Sequence, residues 1–199
     1  MTVFNRCSSA FISGCIALLA LALPARAAEV AGVSLADTES VAPGAPPLAL
    51  NGAGVRKRAF FQVYAIGLYL PKKTANGAEA IAGPGPKRIA IHMLRDVGAD
   101  QFTEALVDGM RNNSSEAQMK AFEPRIAQLS ALMAELKEAK KGMRIALDLV
   151  AGGTQMSVEG KPSGKPIAGE DFYRALLGVW LGEKPVQDDL KRALLGGAQ

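Results

Sequence analysis

Val, Phe, Tyr and Ile crowd the stretch from Val55 to Leu70, a β-prone run led by the Gly-rich segment Asn51–Gly54 and a basic cluster of Arg56, Lys57 and Arg58. A strand turns alternate side chains to opposite faces, so Arg56, Arg58, Phe60, Gln62, Tyr64, Ile66 and Leu68 are expected to share one face. Guanidinium, phenol and aliphatic groups would then stand together. Eight residues of unbroken strand would hold Arg56 and Tyr64 about 26 Å apart at ~3.3 Å per residue, too far to share one ligand group. The chain must therefore bend or turn between Lys57 and Phe60.

The same reading gives the other elements. A short strand is expected from Leu48 into a turn at Gly52–Gly54, and Arg88–Leu94 alternates as a strand. Pro71–Lys87, rich in Gly, Pro, Lys and Ala, reads as a loop with a short helix over Ala78–Ile81. Asp100 is the expected cap of a helix from Gln101 to about Arg111, and Asn112–Ser115 interrupts it before a second helix. Met119, Phe122, Ile126, Leu129, Met133 and Leu136 recur at helical steps, with Pro124 a candidate kink, and this Met-rich face reads as core. Gly142 ends that helix, Met143–Val150 and Thr154–Glu159 bracket a hairpin at Gly152 and Gly153, and Gly169–Leu181 carries Phe172, Leu176, Leu177 and Trp180 on a third helix. A last short helix follows Pro185. Strands broken by a helical block predict an α+β domain, an antiparallel sheet on one side and helices packed against it.

The first residues read differently. Arg6, the apolar run Ile16–Leu23, Pro24 and the small-residue motif Ala25–Arg26–Ala27 have the order of a cleaved secretory signal, which predicts export, most simply to a periplasm. Ile12–Cys15 faintly resembles a lipoprotein site, but most of the apolar core follows it instead of preceding it. The run is also well short of the roughly 20 residues that span a bilayer, so no membrane span is expected after cleavage. The chain then divides into a signal over 1–27, an arm over 28–47 with Pro43, Pro46 and Pro47, and one domain over 48–199.

Composition narrows the chemistry. Both cysteines, Cys7 and Cys15, lie inside the signal, so the mature chain has neither disulfide nor thiol nucleophile. The charge of +4 for 23 basic and 19 acidic residues shrinks once Arg6 and Arg26 leave, and no basic stripe with stacking aromatics suggests nucleic acid. His92, the single histidine, sits in a strand alternation and is expected to be structural, and no metal set or cofactor fingerprint occurs, so no cofactor is expected. Asp148, Glu159, Glu170 and Asp171 are expected to be solvated rather than paired acids. Asn112 and Asn113 each open an N-x-S triplet, which matters only where exported chains are glycosylated.

The segments GAGVR and VYAIGLYL, with LLGVWLGEKPVQDDLKRALLG near the end, resemble the chalcone isomerase fold family, in particular its bacterial exported members, over Leu48–Gly196. The resemblance implies an open-faced β-sandwich and a pocket whose residues decide between cyclase and fatty-acid-binding relatives. The cyclase Arg of the GxGxR segment corresponds to Arg56, with Arg58 as the alternative because the matched spacing needs a gap. The Thr before the A-I-G-x-Y-L run corresponds to Tyr64, as in the fatty-acid-binding branch. The active-site Tyr corresponds to Phe102, the Asn about two turns later to Gly109, and the late Thr to Val179, so three polar groups of a cyclase are replaced. Ring closure needs an ordered water and an oriented substrate, which these positions no longer supply. An Arg and a Tyr in an otherwise apolar cavity suit a carboxylate head, with about 0.8 kcal/mol per buried methylene holding a tail. The leading expectation is thus a small amphiphile such as a fatty acid as the partner. The alternatives are an isomerase or lyase for an unidentified unsaturated carbonyl compound, and a structural envelope protein whose cavity is filled.

Overall fold

The computed structural model describes residues 27–197, so the expected signal over 1–27, except for Ala27, lies outside the described residues. Three short strands open the described chain: β1 (Ala27–Val30), β2 (Val33–Ala36) and β3 (Thr38–Glu39). Two long strands follow, β4 (Leu48–Arg58) and β5 (Phe61–Leu70), then helix α1 (Gly77–Ala82) and strand β6 (Lys87–Met93). The short strands β7 (Val97–Gly98) and β8 (Glu138–Ala139) flank the helices α2 (Ala99–Asn112) and α3 (Glu116–Ala134). Strands β9 (Arg144–Val150), β10 (Gly153–Val158) and β11 (Lys161–Ala168) come next, and helices α4 (Glu170–Leu181) and α5 (Asp188–Leu194) close the described chain.

A seven-stranded antiparallel sheet runs β11-β10-β9-β6-β5-β4-β3, so the mixed architecture expected from the pattern is present. Its inner face carries Tyr64, Ile66, Leu68, Ile89, Ile91 and Leu147 against Phe102, Leu106, Phe172, Leu176 and Trp180 of α2 and α4. Its outer face carries Leu48, Leu50, Tyr69 and Ala90, covered by Leu35 of the β1–β2 hairpin. The residues expected to form a partly extended arm over 28–47 therefore fold back onto the sheet as the β1–β2 hairpin. Leu35 is buried there and Tyr69 donates to the Ala36 carbonyl at 3.0 Å.

Several local expectations are corrected. Gly52–Gly54 is not a turn: β4 runs straight through it, and Gly52 is required because an added Cβ would lie 2.1 Å from the Ala193 carbonyl oxygen at the end of α5. Asp100 lies inside the first turn of α2, whose cap is Gly98. The Ser115 cap of α3 is a reciprocal one, its side chain taking the Gln118 amide while the Gln118 side chain takes the Ser115 amide. Strand β11 was hidden by Pro162 and Pro166, which an edge strand tolerates because no further strand needs their missing amides.

Candidate functional site

The bend that the Arg56–Tyr64 spacing demands is a hairpin. Arg58 pairs with Phe61 across the turn residues Ala59 and Phe60, and Ala59 takes a left-handed φ of 53° that matches the twist of a tight hairpin. A register shift follows, Lys57 opposing Gln62 and Arg56 opposing Tyr64, so Val63 is the extra residue of a bulge. The single shared face expected from strict alternation is thus broken. Paired residues share a face, so Arg56 and Tyr64 stand side by side with Ile66 and Leu68 beyond, while Gln62 turns to the other side with Lys57. Arg58 is exposed at the hairpin end, which leaves Arg56 as the cation next to the core.

Arg56 is half-buried and is held by a residue that the sequence did not single out. Its guanidinium donates to the Gln187 Oε1 at 3.2 Å and to the Lys57 carbonyl oxygen. Gln187 also accepts the Lys57 amide at 2.8 Å and donates to the Val55 carbonyl at 3.2 Å, clamping the entry of α5 onto β4. Below, Asn51 donates to the Leu194 carbonyl at 2.7 Å and accepts the Thr74 amide at 2.7 Å, fixing the exit of the same helix. Two of the segments that carry the family resemblance, Gly52–Arg56 and the Val186–Leu194 part of Leu176–Gly196, therefore belong to one contact between β4 and α5.

Tyr64 is buried, and its phenol accepts a hydrogen bond from the Trp180 Nε1 at 3.0 Å. Burial raises its pKa, while the Trp180 bond and the charge and hydrogen bonding of Arg56 pull it back down. Its ring meets Phe102 edge to face, centroids 6.0 Å apart. Beyond lie the remaining expected positions: Gly109 on α2 faces Val179 on α4, and a Cβ at Gly109 would sit 2.7 Å from the Val179 Cγ1. Phe102 and Val179 are buried. One inward line therefore runs from a cation at the hairpin end through a phenol to a wholly apolar contact. Trp180 was read as core and is also the donor to Tyr64; the signal was its place beside Val179, one step round the helix.

Elsewhere, a surface groove of about 670 Å³ runs between α2 and α3, lined by Val107, Arg111, Met119, Lys120 and Ile126. The partly buried Met119 and Ile126 face it, so the Met-rich stripe is only in part core. On the outer side of the sheet, Arg88 binds Asp148 through two bonds of 2.7 Å and also reaches Glu39. Asp148, expected in solvent, is fully buried there. Burial raises its carboxyl pKa and the Arg88 bonds oppose that shift. His92 is half-buried in β6, and burial first, then Arg144, hold its pKa below 6.5. No cluster of His, Cys, Asp or Glu among the described residues could hold a metal ion, and none of the described helices is long and apolar enough to cross a membrane.

The family model described as chalcone isomerase-like matches residues 27–196. Among solved structures, the chain is similar to the Arabidopsis thaliana fatty-acid binding protein AtFAP1, with 16% identity and a TM-score of 0.63 over 82% of this chain and 92% of that one. That likeness is one of fold. No curated protein sequence matches.

Proposed function

Because the chain belongs to the chalcone isomerase-like family, we propose that it is an exported, non-catalytic member that binds a fatty acid or similar carboxylate amphiphile. The Arg56 guanidinium and the Tyr64 hydroxyl take the head group. The observation that carries this reading is the polarity gradient from the β4–β5 pair into the helical layer: a half-buried guanidinium on β4, a buried phenol opposite it on β5, then Phe102 and Gly109 of α2 and Val179 of α4. Arg gives a carboxylate a fixed fork of donors, and the apolar end offers a tail nothing but burial. Tyr64 accepts from Trp180, which leaves the phenol's own proton to be donated to the carboxylate, and a phenol that is itself receiving a bond is the better donor. The fold likeness to a fatty-acid binding protein supports the ligand class. The apolar side chains at Phe102 and Val179, and the missing side chain at Gly109, argue against cyclisation, since none can order a water or orient a carbonyl substrate.

A second reading, a structural protein with a filled cavity, is favoured by one specific observation: the Val179 methyls already occupy the space beside Gly109. Native purification, solvent extraction and mass spectrometry separate the two. The binding reading expects near-stoichiometric fatty acid in the wild type and little in Arg56→Ala. An empty wild type that also takes up no added fatty acid would transfer the weight to the structural reading.

A further inference from the structure

Among the described residues, the large hydrophobic side chains that stand exposed are Phe60, at 101% of its reference area, and Phe61, at 59%. They are adjacent, and they form the tip and shoulder of the β4–β5 hairpin. An aromatic ring fully in water on a tight turn contributes nothing to the core, and two side by side make a protruding apolar point. Around it stand cations. Lys57 and Arg58 precede the turn, both exposed, and Arg95 places its guanidinium over the Phe61 ring, 4.5 Å from the centroid. The acids nearby are turned to other work: Asp96 accepts the Lys141 amide at 2.7 Å, and Gln187 first, with the opening amides of α5 and Lys57, holds the Asp189 carboxyl below its usual pKa.

We propose that this tip is a membrane-docking wedge, Phe60 and Phe61 entering the headgroup layer of a bilayer that carries anionic lipids while Lys57, Arg58 and Arg95 engage the headgroup phosphates. Exposed aromatics ringed by cations have the chemistry of an interfacial anchor: the rings partition into the acyl boundary and the cations answer a negative surface. A protein partner would be expected to bring a pocket of its own for the rings, but charge complementarity on this chain points to phosphate. The wedge adds a surface to the reading above and does not depend on it, although its flanking Lys57 directly follows Arg56 and docking would bring that guanidinium near the lipid.

The test puts an indole at the tip. Phe60→Trp, in the mature chain expected to begin at Ala28, is mixed with vesicles of phosphatidylcholine alone or with added phosphatidylglycerol, with brominated acyl chains as quencher. The native Trp180 is buried and serves as an internal reference. The expected result is a blue shift and bromolipid quenching of the new indole with the anionic vesicles, weakened by salt. The double variant Phe60→Ser/Phe61→Ser should lose at least about tenfold in vesicle partition, given the burial value of an aromatic ring. Its unfolding temperature and its co-purified fatty acid should stay at the wild-type level, which keeps this result separate from the fate of the binding reading. An indole that stays in water with both vesicle types would overturn the wedge and leave the tip to a protein partner. An equal response to neutral vesicles would overturn it as well.

Discussion

Gly109 and Val179 offer a quantitative check on the packed end of the site. Gly109→Ala would place a methyl 2.7, 3.1 and 3.2 Å from three carbons of Val179, where ordinary carbon contacts are about 3.5–4.0 Å. Both residues sit on helices locked into the core, so the overlap must be relieved by shifting α2 against α4, at a cost of about 1–3 kcal/mol. Alanine's better helix propensity returns about 1 kcal/mol of that, leaving a net loss of roughly 0–2 kcal/mol. Val179→Ala alone removes two buried methyl groups, about 1.6 kcal/mol of transfer free energy, and roughly 2–3 kcal/mol once the residual void is counted. The two changes are complementary, since the methyl added on α2 enters space vacated on α4. The double variant should therefore be more stable than the sum of the single effects by about 1–2 kcal/mol, within the range seen for residues in contact. Urea unfolding of the four proteins measures this coupling. Additivity to within about 0.5 kcal/mol would mean that the helices are not pressed together at this point, and the apolar end of the site would have to be redrawn.

Other expectations follow from single contacts. Ala59→Gly relieves a left-handed alanine at φ 53° and should stabilise the protein by about 1 kcal/mol in denaturant unfolding, with no gain if the turn is relaxed. Asp148→Ala strands Arg88 on the outer face with Glu39 as its remaining carboxylate, so a loss of about 3 kcal/mol, the low end for a broken buried pair, is expected in thermal or urea unfolding. Because His92 is the single histidine, its ring signal can be titrated by NMR without ambiguity. A midpoint below 6.5 is expected, moving up in Arg144→Ala. The sign for stability follows: the unfolded chain takes up this proton first, so stability falls as the pH drops below about 6.5. A midpoint at or above 6.5 would contradict the half-buried setting of His92 first, and its placement opposite Arg144 second.

How much of this was legible in the sequence varies with the kind of interaction. Strands β5, β6, β9 and β10 and the three main helices follow from periodicity, because each buries one continuous face, and Gly152–Gly153 marks the β9–β10 hairpin. The need for a turn near Lys57–Phe60 was visible as a distance that unbroken strand could not close. Its consequence was not, because the bulge at Val63, which turns Gln62 away from the face of Arg56 and Tyr64, is a matter of the β4–β5 register that side-chain alternation does not display. Gly52 carries no conformational mark in the sequence: its reason lies in α5, over 140 residues away. Gln187 and Asn51 escaped notice for the same cause, since a polar side chain that clamps distant backbone looks like any surface residue until the chain folds. Asp148 shows the converse, a carboxylate read as solvated that the topology pairs with Arg88 on the neighbouring strand.

The central claim is that Arg56 captures a carboxylate at the mouth of an apolar site. The most direct measurement is a calorimetric titration of the delipidated protein with a saturated long-chain fatty acid and with its methyl ester, in wild type and in Arg56→Ala. The account expects the acid to bind the wild type at least about tenfold more tightly than the ester, the value of one charge-assisted hydrogen bond, and expects that preference to vanish in the variant. Equal affinity for acid and ester in the wild type, or no binding of either, would contradict it.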